Sequence, residues 1–292
     1  MTHPPKSRAL ALQVGARTLA TIPRRLVRVG LSLDEALAGG APVLPALDGA
    51  DGWHVTSLPA AVALEAPGLA WVRQRYMRYY VDLAAGEAAW RAGLSAATRA
   101  TMKRKAKRLA AAGGGRIDIR RYRTADEMAA FHPPARAVAA TTYQERLLGA
   151  ALPADPAAVA QAAAGDGARG WLLFVCDAPA AYLWCTAQGS AWRYDHVGHD
   201  PAFAALSPGA VLMEAALGDL FGDRLARFDF TEGEGQHKRT LASGGVACRD
   251  VVVLRRTWAN RAALGVVRGF DNAVTAAKRV PVARALAARV RR

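Results

Sequence analysis

The run from Trp171 to Gly198 constrains the fold most. WLLFVC at 171–176, AAYLWCTAQ at 180–188 and AWRYDHVG at 191–198 are apolar or alternating segments of strand length, joined by the short turn signals DAP and GS. Closely spaced strands with such turns predict an antiparallel three-strand meander. The period then changes. In HDPAFAALSPGAVLMEAALGDLF, Ser207 suits a helix N-cap and Pro208 a first helical position, while Leu212, Ala216, Leu217 and Leu220 recur on one helical face. RFDF at 227–230 alternates again as a short strand that Gly233 and Gly235 break. A short helix from 236 and a strand over 249–255 complete the series.

Upstream, the pattern predicts strands at 53–57 and 75–83, a helix at 95–112 stopped by Gly113–Gly115, and a strand at 116–122. Helices follow at 125–131, 134–149 and 156–164. Composition shifts divide the chain into a basic arm and Gly/Pro-rich linker (1–52), a first half (53–165), a core (166–256) and a basic helical tail (257–292). In the tail, Leu264, Val267, Phe270, Val274 and Ala277 make one apolar helical face.

A chain of 292 residues, 52% hydrophobic and 22% charged, can bury a sizeable core and is not of the disordered class. Its net charge of +15 and pI near 10.5 select anionic partners: nucleotides, nucleic acid, an acidic acyl-carrier protein or an anionic membrane surface. Cys176, Cys185 and Cys248 form no CxxC pair, so the chain is expected to carry neither a disulfide framework nor a metal. No apolar run reaches the roughly 18 residues of a membrane helix. Arg17, Arg24, Arg25 and Arg28 interrupt the apolar stretch that a signal peptide requires, and a cytoplasmic location is expected.

Meander, helix, strand, helix, strand is one level of resemblance, and three segments supply another. LSAATRATMKRKAKRLAAAGG, HDPAFAALSPGAVLMEAAL and RFDFTEGEGQHKRTLA, in this succession, resemble the recurring segments of a bacterial branch of the GNAT acyltransferases. That branch includes acetyltransferases associated with cellulose biosynthesis and is related to FemX-like peptidyl transferases. The resemblance runs from Trp53 to Arg256. It implies an α/β (α+β) fold, a mixed sheet flanked by helices in two GNAT-like halves. It also implies transfer of an acyl group, an acetyl above all, from an acyl-CoA-type thioester to an amine of a small molecule, amino acid or amino sugar. Two other functions stand beside it: a FemX-like transferase drawing on aminoacyl-tRNA, which the positive charge would suit, and a noncatalytic GNAT-like protein of polysaccharide assembly.

Aminolysis of a thioester needs a phosphate cradle, an oxyanion donor, a base for the amine and an acid for the thiolate. The helix start at Ser207, Pro208, Gly209 and Ala210 is the candidate cradle, although the longer Gly-rich loop usual in the family is missing. Asp229 and Glu232 are candidate bases with His237 as a third; Asp229 reads equally well as a structural acceptor that pins a neighbouring loop or pairs with Arg227. Tyr194 is the candidate acid, and strand alternation puts Trp192, Tyr194 and His196 on one face. Lys238 sits at a helix start against the dipole, which points to a ligand phosphate or a buried carboxylate, with a mobile surface lysine as the alternative. Arg99, Lys103 and Lys107 recur every four residues as a basic row for the donor or an anionic acceptor, with a solvated face as the alternative. By position, Tyr143 and Gln144 are candidates for an acceptor pocket. His237 joins the candidate substrate contacts. The tail either docks on the core or meets a membrane or carrier protein.

Overall fold

The structure is a computed structural model that describes residues 10–14, 17–142, 152–233 and 235–279. In chain order its elements are β1 (Leu10–Val14), β2 (Arg17–Ile22), β3 (Leu26–Gly30), α1 (Leu33–Ala38), β4 (Gly52–Pro59), β5 (Leu69–Asp82), α2 (Glu87–Gly93) and α3 (Ala96–Ala112). There follow β6 (Asp118–Tyr122), α4 (Ala125–Thr141), α5 (Pro156–Ala162), β7 (Ala168–Val175), β8 (Ala178–Gln188) and β9 (Ala191–His199). The last are α6 (Pro208–Leu220), β10 (Arg227–Asp229), α7 (Gln236–Leu241), β11 (Gly244–Leu254) and α8 (Trp258–Arg279). Two compact units result. The smaller takes residues 1–31, 38–75 and 248–292, the larger 32–37 and 76–247. These units follow compactness, whereas the boundaries at 52, 165 and 256 follow chain order.

The larger unit is built on the meander. Its sheet runs β5-β10-β9-β8-β7-β6, antiparallel throughout except between β10 and β9. Both faces are covered, which is why WLLFVC is continuously apolar instead of alternating. Trp171, Leu173, Leu183 and Cys185 pack with Trp90 of α2, Leu109 of α3 and Leu212, Ala216 and Leu220 of α6. Leu172, Phe174, Tyr182 and Trp184 pack with Met128, Phe131 and Val138 of α4 and Val159 of α5. Each fully buried Leu or Phe in these layers contributes about 1.5–3 kcal/mol.

The predicted pair of helices at 125–131 and 134–149 is, over its described part, the single helix α4, with Pro133 and Pro134 inside it. Proline removes backbone hydrogen bonds there. The unbroken inward row of Met128, Phe131, Ala135, Val138 and Ala139 offsets that loss, and a Thr124–Glu127 capping box fixes the start.

In the smaller unit, β3 pairs parallel with β4, and β4 antiparallel with β11. Residues 10–30, read from sequence as a basic arm, carry β1, β2 and β3. Leu10 and Leu26 are buried while Arg28 is exposed, and Arg24 and Arg25 lie between β2 and β3, Arg24 half-buried and donating to Asn260 Oδ1 at 2.8 Å. Tail helix α8 buries Ala263, Leu264 and Val267 against Leu10, Leu26, Val252 and Leu254. Its docking on the smaller unit agrees with the first of the readings for the tail. Among the described residues, no helix is long and apolar enough to cross a membrane.

Candidate active site

The functional geometry of the larger unit begins where two parallel strands part. β10 matches β9 only over Arg227–Asp229 against Ala191–Arg193, yet β9 continues to His199. Beyond Arg193 the edge of β9 therefore loses β10 as a hydrogen-bonding neighbour, which leaves backbone N–H and C=O groups available to an extended ligand. β9 also bulges. Cys185 pairs with Tyr194 and Trp184 with His196, so Asp195 is an extra residue.

That bulge corrects the alternation argument. An extra residue resets which face the following side chains occupy. Trp192, Tyr194 and Val197 pack on the face covered by α6, whereas His196 stacks on Trp184 of the α4 layer, with ring centroids 5.6 Å apart. Asp195 accepts from Thr186 Oγ1 at 2.5 Å and pairs with Arg193 at 3.0 Å. Burial nonetheless pushes its carboxyl up from the ordinary value.

A cleft of about 800 Å³ opens beside the freed edge. Its walls include Thr98, Thr101 and Lys105 of α3; Tyr194, Val197 and His199 of β9; Ser207, Pro208, Gly209, Ala210 and Glu214 at the start of α6; and Gln236 and His237 of α7. Six of the residues singled out from sequence thus meet in one place: Tyr194, Ser207, Pro208, Gly209, Ala210 and His237.

The start of α6 is narrower as a donor array than its sequence suggests. Ser207 adopts a left-handed conformation (φ 54°, ψ 48°), and its carbonyl accepts from Ala210 N and Val211 N. Pro208 has no N–H. Gly209 is left as the first-turn amide to offer a ligand, and its Cα lies close to the His199 ring, so that a Cβ there would sit 3.8 Å from Nδ1.

Tyr194 and His237 both line the cleft as neighbours, ring centroids 6.3 Å apart, and both pack on Phe230. Their environments act in opposite directions. Burial pushes the Tyr194 phenol up, keeping it protonated, and Lys238 Nζ stands 5.6 Å over its ring. Protein packed round the His237 ring, and secondarily the Lys238 charge, lowers its pKa, which leaves the imidazole neutral at pH 7.

The remaining described candidates lie off the cleft walls. Asp229 is 1% exposed and takes both Arg78 Nε (3.1 Å) and Nη2 (2.5 Å), as well as the Thr231 amide at 2.8 Å. Arg227 pairs instead with Asp34 at 3.1 Å. Lys238 is buried, and its Nζ donates to Phe230 O at 2.5 Å and Glu232 O at 2.9 Å. The ammonium thus clamps the exit turn of β10 and holds Glu232 through its main chain. Thr231 occupies positive φ (60°) in that turn, so the Asp229 and Lys238 bonds hold a strained conformation in place.

Arg99 folds back to the carbonyls of Arg91 and Leu94, and Lys103 is exposed. Tyr143 and Gln144 lie outside the described residues. Sequence reasoning missed Lys105. A helix turns 100° per residue, so the cleft-facing row of α3 is Thr98, Thr101 and Lys105, and the more regular basic row at 99, 103 and 107 points outward.

Residues 96–239 match the family model described as an acetyltransferase (GNAT) domain. The chain carries a GNAT domain. Among solved structures, the C-terminal domain (DUF2156) of an Agrobacterium fabrum protein described as a lysylphosphatidylglycerol synthetase is similar at TM-score 0.54 and 11% identity, over 76% of this chain and 73% of that one. A FemX structure matches at TM-score 0.46 and 10% identity, over 85% and 88%. A GCN5-related N-acetyltransferase from Kribbella flavida matches at 0.38 and 15%, over 72% and 70%. No curated protein matches the sequence. The GNAT domain supports acyl transfer as the general activity, and it contains the whole cleft wall except Thr240 and Leu241.

Proposed function

We propose that the cleft takes an acyl-CoA-type thioester and transfers its acyl group to an amine. The observation that carries this reading is the Tyr194–His237 pair: two titratable groups in one cleft, one held protonated and one held neutral at pH 7. The thioester's extended arm lies along the freed edge of β9. Lys105 and the Gly209 amide receive its anionic end.

The steps balance without further reagents. The amine nitrogen bonds to the thioester carbonyl carbon, and a proton of the amine passes to the His237 imidazole. The C–S bond then breaks, and the leaving thiolate takes the Tyr194 proton, yielding an amide and a thiol; the proton held by His237 then returns to the Tyr194 phenolate and restores both groups. Lys238, near the Tyr194 ring, favours the transient phenolate. Asp229 and Arg78 act as positioning residues that fix the β10 exit on which the wall at His237 depends.

The test is release of free thiol from acyl-CoAs of varied chain length, with a panel of amines. His237→Asn and Tyr194→Phe are expected to lower kcat by about 10²–10⁴-fold with the fold retained. In the wild type, turnover rises with pH through a pKa below 6.5, because His237 must be deprotonated, and that limb disappears in His237→Asn. Turnover unchanged in both variants would remove the assigned roles; no thiol release and no thermal shift with CoA at millimolar concentration would remove the donor.

A further inference from the structure

Nearly all of the protein's net charge belongs to the smaller unit. That unit holds nineteen Lys and Arg against five Asp and Glu, a net of +14, and the larger unit holds twenty against nineteen. The acyl-transfer cleft, which lies in the larger unit, leaves this charge without a function.

The most organised part of the smaller unit's surface is α8. Thr257 caps it, accepting from Asn260 N at 3.2 Å, and Ala263, Leu264 and Val267 are buried. On the opposite side Trp258 is 83% exposed and Val266 54%. At 100° per residue, Trp258, Ala262, Gly265, Gly269 and Ala276 form the centre of the outer face with Asn272 beside them; Arg261 and Arg268 lie along one border, one Arg268 nitrogen donating to Ala70 O at 3.0 Å, and Val266 lies along the other. All are exposed. The helix's one acid, Asp271, lies toward the packed side. Arg255 and Arg256 stand exposed just before the cap. Helix stability does not account for this layout, since Arg255, Arg256 and Arg261 oppose the positive end of the dipole and an exposed Trp packs against nothing.

We propose that the outer face of α8 docks the protein on an anionic phospholipid surface, with Trp258 at the level of the headgroups and Arg255, Arg256, Arg261 and Arg268 on the lipid phosphates. An apolar, small-residue centre with a tryptophan at one end and arginines at its border is the layout of an interfacial helix. Nucleic-acid phosphates would engage the arginines but would leave the uncharged centre of the face without a use. The inference is independent of the acyl-transfer reading.

The test is co-sedimentation of the full chain with vesicles of phosphatidylcholine alone and with about one-third phosphatidylglycerol. Binding to the anionic vesicles only is expected, falling as salt is raised. Arg261→Ala and Arg268→Ala should each weaken it about fivefold. Trp258→Ala should weaken it by at least as much with an unchanged melting curve, and vesicles should blue-shift wild-type fluorescence more than that of Trp258→Phe. No binding to anionic vesicles at low salt overturns the proposal. Binding that Trp258→Ala leaves unchanged also overturns it, as simple coulombic adhesion. Single-stranded RNA binding without vesicle binding would reassign the face to nucleic acid. Because these outcomes are read without turnover, they stand or fall apart from the cleft's chemistry.

Discussion

The two units carry charge in opposite ways. In the larger, near-equal numbers of cations and anions are matched side by side: Arg78 with Asp229, Arg91 with Glu87 and Glu214, Arg121 with Asp219, and Arg123, Arg169 and Arg224 on Asp166. In the smaller, arginines outnumber acids and many stand in solvent. Ionic pairs in the first unit fix geometry, while the second carries far more cations than its acids can neutralise. A single figure of +15 conceals this division, and the cleft itself counts one cation, Lys105, among its walls.

The comparison breaks most sharply at Arg78. Its guanidinium and Asp229 are 3% and 1% exposed, so Arg78→Met strands a buried carboxylate and is expected to destabilise the fold by about 3–5 kcal/mol. Urea unfolding measures it. Replacing both, as Arg78→Met with Asp229→Leu, should recover part of the loss, because the carboxylate is then no longer buried without its guanidinium. A loss under about 1 kcal/mol in the single variant would mean that the pair does not hold the β10 exit.

Where sequence reasoning succeeded and where it stopped has a common physical cause. The meander and α6 were legible because burial on both sheet faces leaves long apolar runs, and because Ser207-Pro208 marks a helix start. Tyr194 and His237 stood out in the sequence as titratable candidates, and both line the cleft. The bulge at Asp195 was not, since an extra strand residue leaves no trace in composition, and it sends His196 to the other side of the sheet. Nor was the partner of Asp229, which is 151 positions away in sequence. Lys238 illustrates the limit of local rules: its unfavourable place near a helix start signals a compensating partner, but the partner is a pair of backbone carbonyls.

A smaller effect is expected at Asp166. Hydrogen bonds from Arg123 and Arg169 come first among the influences that hold its carboxyl far below the usual value of 3.8. A depressed folded-state pKa contributes stability above the unfolded value, and that contribution is lost as pH falls below about 3.8 toward the folded one. Asp166→Asn should therefore lower the melting temperature at pH 7 by a few degrees, a loss of about 1 kcal/mol for a part-exposed network. The gap between the two proteins should narrow steadily as pH is lowered from 4 toward 2. A constant gap across that range would show that the loss came from packing and not from charge.

The smallest expected effect on stability is the most informative about the smaller unit. Trp258 is 83% exposed, so Trp258→Ala opens no cavity and should change unfolding free energy by no more than about 0.5 kcal/mol. For comparison, Leu264→Ala, one and a half turns along the same helix but 4% exposed, should cost about 2–5 kcal/mol. The contrast separates the face of α8 that holds the unit together from the face that does not. If thermal unfolding shows Trp258→Ala to be as costly as Leu264→Ala, the tryptophan is a packing residue and α8 has no free apolar face. If the two differ as expected, the large aromatic surface left in water has no folding role, and its use must be sought in what the unit binds.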